Sequence, residues 1–168
     1  MQDFTHIPSD LKDSSSELSN ARDVLRTVIE NLFDSQEALQ QIEDRLHDPV
    51  VKRFLLAESL RRAEFRGELE TLLHQEGVRD ISETGTVAGK VHRMWAGIKA
   101  SLGGSDYTLL STAETIESGV CDAYHDALDN NLPLNVRQIL RSQYAHVKLS
   151  HDYVEAARDH ARQHSDAA

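Results

Sequence analysis

Apolar residues recur at three- and four-residue spacing over most of the chain. Ala21, Leu25, Val28, Leu32, Leu39, Ile42 and Leu46 form one stripe of a long helix over about residues 17–47. The Asp48-Pro49 step ends it, because proline suits a first helical turn and disfavours helix in the residue before it. A second helix over about 49–76 carries Phe54, Leu55, Phe65, Leu69 and Leu72 and stops at Gly77. Glycines at 77, 85, 89, 97, 103 and 104 then frame a shorter helix near 86–102, with Val87, Val91, Met94, Ile98 and Leu102 on one face. A third long helix, about 106–130, starts at a Ser105 or Asp106 cap, and a fourth, about 134–163, presents Val136, Leu140, Val147, Val154 and Ala161. Polar residues 1–16, with Pro8 and a serine run, predict a flexible tail, and residues 164–168 predict a frayed end.

Tight connections make the first two long helices antiparallel, and likewise the last two. A helix of ~25 residues is ~38 Å long, so the long link between the second and third can run the length of the bundle. The pattern therefore predicts a single all-α domain over 17–163: a ferritin-like four-helix bundle with an additional short helix in the long crossover.

Composition narrows the function without naming it. The 168 residues carry 18 Lys plus Arg against 28 Asp plus Glu, a net charge of −10, which disfavours binding to nucleic acid or to an anionic membrane. No apolar run approaches the ~18 residues of a spanning helix, and the N-terminal residues lack the basic and apolar regions of a secretory signal. These features predict a cytoplasmic protein. The lone Cys121 reads as a small buried apolar residue.

Several local motifs carry a family resemblance. They are Arg62-x-x-Phe65 with Glu68-Leu69, His92-Arg93-Met94-Trp95 followed by Lys99, Glu114-x-x-Glu117, Tyr124, Leu132-Pro133, Gln143 and His151-Asp152. Over about residues 20–155 the chain resembles an uncharacterised family of bacterial ferritin-like four-helix-bundle proteins, classed as a domain of unknown function. Ile116 departs from the family pattern, which tends to have Gly before the second Glu. The resemblance implies the fold and a distant kinship with di-iron carboxylate proteins, and no known activity.

A di-iron site of that kind needs a Glu from each of two helices and Glu-x-x-His from each of the other two, all pointing inward. At about 100° per residue, the first helix turns Glu30 and Glu37 outward and offers Ser35 and Gln36 inward. The second places Glu58 centrally, with Arg62 where a ligand would stand, and Arg cannot coordinate a cation. The third offers Glu117 and Tyr124. The fourth offers Gln143 and Ser150, with His151 at its flank. No helix has Glu-x-x-His, and the nearest imitations, Asp122-x-x-His125 and Gln143-x-x-His146, fall on flanks or outer faces.

Glu58, Arg62, Glu117, Tyr124 and Gln143 thus read as a buried polar network in place of a metal cage, since a buried carboxylate needs a partner. The expectation is a non-enzymatic bundle, a stress-associated or interaction protein with no cofactor, acting as a homo-oligomer or with a protein partner. The alternative is an iron or manganese protein with redox or metal-handling activity, using Glu58, Glu117 and His151. A second alternative is an anion or small-ligand site at the crossover helix, made by His92, Arg93, Trp95 and Lys99. His160 and His164, spaced to share a metal, read as solvated.

Overall fold

A computed structural model describes residues 9–77, 96–100 and 102–165. Four long helices account for most of them: α1 (Ser9–Arg45), α2 (Pro49–Gln75), α3 (Asp106–Leu128) and α4 (Leu134–Ser165). Helix α1 starts at Ser9, so residues 9–16 are helical where the sequence reading expected a tail. The reason is visible in the sequence: Leu11 and Leu18 extend the seven-residue spacing of Leu25, Leu32, Leu39 and Leu46, so the apolar repeat begins earlier than its first obvious members. Likewise α4 runs to Ser165, past the expected fraying point at 164. The His92, Arg93 and Trp95 ligand candidates lie outside the described residues, while 96–100 are helical and Lys99 is exposed.

Local chemistry sets the helix ends. Asp48 caps α2 by accepting from the Val50 and Val51 amides at 2.8 and 3.2 Å, with Pro49 in the first turn. At the far end Gly77 takes φ +82°, a left-handed conformation that suits glycine, and its amide bonds the His74 carbonyl at 3.0 Å. Ser105 caps α3 through the Thr108 amide. The Arg137 guanidinium donates to the Leu128 and Asn130 carbonyls, at 3.3 and 2.8 Å, and so satisfies the end of α3 from the start of α4.

Contacts between the two hairpins fix the helix directions. The His47 and Asp48 amides donate to the Asp106 carboxylate, so the α1–α2 turn sits at the start of α3. Burial pushes that carboxyl up, but the hydrogen bonds from the His47 side chain and from both amides more than offset it and hold it below the usual carboxylate range. At the opposite end Arg22 reaches the Glu76 carbonyl at 3.0 Å, and Asn20 donates to Asn130 at 3.2 Å. Helices α2 and α3 therefore run in the same direction.

The core has two apolar halves. One is built from Leu25, Val28, Leu32, Leu69, Leu73, Val120, Leu140 and Val147. The other contains Leu39, Ile42, Leu55, Leu109, Leu110, Ala113 and Val154, and it also holds Ile98 from the crossover. Along each helix, the residues that separate the halves are polar and buried: Ser35 on α1, Glu58 and Arg62 on α2, Glu117 on α3 and Ser150 on α4. A polar layer thus crosses the middle of the bundle.

Helix α1 also carries an electrostatic load at its edge. Burial, then the neighbouring Glu30 and Glu37 carboxylates, push Asp34 up to about 6 from its usual 3.8. A raised carboxyl opposes the fold when charged: the penalty is complete above pH ~6 and fades as pH falls towards ~4. The bare shift corresponds to about 3 kcal/mol, and solvent screening at this half-exposed position reduces that to about 1 kcal/mol. Asp34→Asn is expected to raise the melting temperature by about 2–4 °C at pH 7.5 and to leave it unchanged at pH 4, as measured by thermal circular dichroism.

Candidate functional site

Arg62 occupies the centre of the polar layer with its side chain fully buried. Its Nη1 donates to Glu58 Oε2 at 3.1 Å, one helical turn back on α2. Its Nη2 donates to Glu117 Oε2 across the bundle on α3. The other Glu117 oxygen accepts from Ser35 Oγ of α1 at 3.2 Å. From α4, His146 Nε2 lies 3.0 Å from both oxygens of Glu58, so that Nε2–H donates into that carboxylate. The His146 ring also meets the Phe65 ring edge-on at 5.5 Å.

One cation is therefore shared by two carboxylates, with every helix supplying a member. Burial is graded across the group: the Arg62 and Glu117 side chains have 0% exposure, Glu58 has 9%, and His146, the member nearest water, has 38%. The formal charge is −1 with His146 neutral and zero with it protonated. Arg62 Nε and Ser150 Oγ are buried without a hydrogen-bond partner.

Tyr124 and Gln143 form a second cluster, with no hydrogen bond to the first. Tyr124 Oη donates to Gln143 Oε1 at 2.7 Å, and Gln143 Nε2 donates to Glu68 Oε2 at 2.7 Å and to the Phe65 carbonyl at 3.3 Å. Burial pushes the Tyr124 phenol far up, which keeps it a neutral donor. The five residues expected to make one network are thus divided between two, and His146, read from the sequence as lying on a flank or outer face, belongs to the central one. Tyr124→Phe is expected to cost about 1–2 kcal/mol, because it leaves the Gln143 oxygen buried and unpaired; urea unfolding measures it.

The central donor set does not fit a metal centre. Glu58 and Glu117 each commit an oxygen to the same guanidinium, which stands between them and carries a permanent positive charge. A metal ion drawing on both carboxylates would face that charge at contact range in a buried setting. The third candidate ligand, His151, is elsewhere: its Nε2 meets Glu114 Oε1 at 3.2 Å on the flank between α3 and α4. His160 and His164 are exposed on the last turns of α4, their ring centroids 4.2 Å apart.

The remaining chemistry is modest. Burial, followed by the Glu117 charge, pushes the Cys121 thiol up to about 11, so it is a poor nucleophile at neutral pH. Among the described residues no helix is long and apolar enough to cross a membrane.

Comparison with known proteins adds one match. A family model described as a domain of unknown function, DUF2383, matches residues 20–130, about two thirds of the chain. The match includes Ser35, Glu58, Arg62, Glu117 and Tyr124, and stops before α4. No curated protein matches the chain.

Proposed function

From the chain's membership of the DUF2383 family, a domain of unknown function, we propose that it is a non-enzymatic, ferritin-like bundle that serves as an interaction module, its four helices held in register by the polar layer. The observation that carries this reading is Arg62, fully buried and shared between Glu58 and Glu117. Sliding any one helix along its axis would separate a charge or hydroxyl from its partner. In a region of low dielectric that separation costs several kcal/mol, more than the loss of an apolar contact of the same size. Such a layer specifies one alignment of helices, as a buried polar residue does in a coiled coil.

The same layer argues against chemistry at the bundle centre. Both of its carboxylates are engaged by Arg62, and its cation is one that cannot release a proton at neutral pH. Activity then belongs to the outer faces. Leu56 and Leu60, one turn apart on α2, are 42% and 57% exposed, which supports a protein partner there.

Metal analysis by plasma mass spectrometry tests the reading on wild type, Glu117→Ala and the milder Glu58→Gln, each loaded with Fe(II) and then Mn(II). The expected outcome is a metal content that does not depend on Glu117 or Glu58. Stoichiometric metal that disappears in both variants and survives in His151→Ala would overturn it, and would restore a central metal site.

A further inference from the structure

The flank between α3 and α4 holds a second group of charged side chains, with a different logic from the central layer. One ligand atom each from His151, Asp152 and Glu155 lies within 4.8 Å of the others. Across the groove, Glu114 of α3 takes His151 Nε2 at 3.2 Å. Arg158 clamps that carboxylate in turn, with its Nη1 3.3 Å from Glu114 Oε2. The imidazole is about one fifth exposed, whereas Asp152 and Glu155 are about half exposed.

From these contacts the geometry points to a surface site for a divalent transition-metal ion, with His151, Asp152 and Glu155 as ligands and Glu114 as the positioning residue. A carboxylate can only accept, so Nε2 carries the proton and donates to Glu114. That fixes the tautomer and leaves the Nδ1 lone pair of the neutral ring on the other side, where Asp152 Oδ1 stands 3.5 Å away. A lone pair beside a carboxylate oxygen is repulsive, and a cation between the two, either a proton on Nδ1 or a metal ion, relieves the contact. Metal-bound histidines are commonly held in this way, with the distal N–H on a carboxylate that orients the ring and raises its basicity.

The local charge balance agrees. Glu114, Asp152, Glu155 and Asp159 face two cations: Lys148, 3.6 Å from Asp152, and Arg158, which is shared among Glu114, Glu155 and Asp159. The net charge of −2 matches a divalent ion. One imidazole with two carboxylates suits zinc and its first-row neighbours better than magnesium or calcium, which prefer oxygen alone. Residues 151 and 155 are one helical turn apart, so small side-chain rotations close the ligands to bonding distance, and water completes the shell on the open side.

This site is separate from the central layer, so either reading can fail alone. Calorimetric titration of the full chain with Zn(II) at pH 7.5 provides the test. The expected result is binding that His151→Ala weakens at least tenfold, that the exposed-site variant Asp152→Asn/Glu155→Gln weakens comparably, and that Glu114→Gln weakens about tenfold or more. Circular dichroism confirms folding in each case. Replacing His160 and His164 together by alanine is expected to leave that binding intact. The inference is overturned if wild type does not bind zinc below about 100 µM, if His151→Ala binds normally, or if only the His160/His164 variant loses binding.

Discussion

Arg62→Met is expected to lower the stability of the bundle by about 3–5 kcal/mol, the cost of leaving buried charges without their partner. Methionine follows the aliphatic stem of arginine, so packing changes little and the loss is electrostatic. Without the guanidinium, Glu58 and Glu117 face each other in the interior with only Ser35 and His146 to hold them. The melting temperature should fall by about 10 °C. Arg62→Lys should fall between wild type and methionine, since an ammonium keeps the charge but cannot span both carboxylates with a planar fork. A methionine variant within about 1 kcal/mol of wild type would mean that Arg62 does not hold the layer together.

Glu117→Leu is expected to cost nearly as much, about 3–4 kcal/mol, and more than Glu58→Leu. Either change leaves Arg62 with one carboxylate, so charge counting alone does not separate them. Depth does. Glu117 has no exposed surface, and its removal strips a partner from Arg62 Nη2 and from Ser35 Oγ together. Glu58 lies at the edge, where His146, 38% exposed, can turn to water when its acceptor is lost. Urea titrations of the two variants should therefore rank Glu117 above Glu58 in cost, and the reverse ranking would place the polar layer's anchor on the wrong helix.

Periodicity made the architecture legible because each long helix has one recurrent apolar stripe on its buried side. The central polar residues were legible for the same reason: Glu58, Arg62 and Glu117 interrupt those stripes, and a charged residue in a stripe must be paired. What periodicity missed lies off the stripe. His146 is about 60° round from Gln143 on α4, which reads as a flank. In the structure that flank faces α2, where long side chains bridge the two helices, as the Phe54 and Tyr153 rings also do at 3.9 Å. The division of the polar residues into two clusters was equally hidden, because a helical wheel gives direction and not height. Gln143 reaches Glu68 and the Phe65 carbonyl, about two to three turns beyond Glu58 on α2, and so belongs with Tyr124. The early start of α1 follows from Leu11 and Leu18, two members of a seven-residue repeat in an otherwise polar stretch. Finally, His151 and Asp152 stood out as a motif, but their pairing with Glu114 depends on the packing of α3 against α4.

The most direct test of the central claim is urea unfolding of the triple substitution Glu58→Leu/Arg62→Met/Glu117→Leu beside Arg62→Met alone. If the three charges exist to compensate one another, removing all of them abolishes the penalty that removing one creates. The triple variant should then recover to within about 2 kcal/mol of wild type or exceed it. A triple variant as unstable as Arg62→Met, or less stable, would contradict the account, because the loss would then come from something other than uncompensated charge.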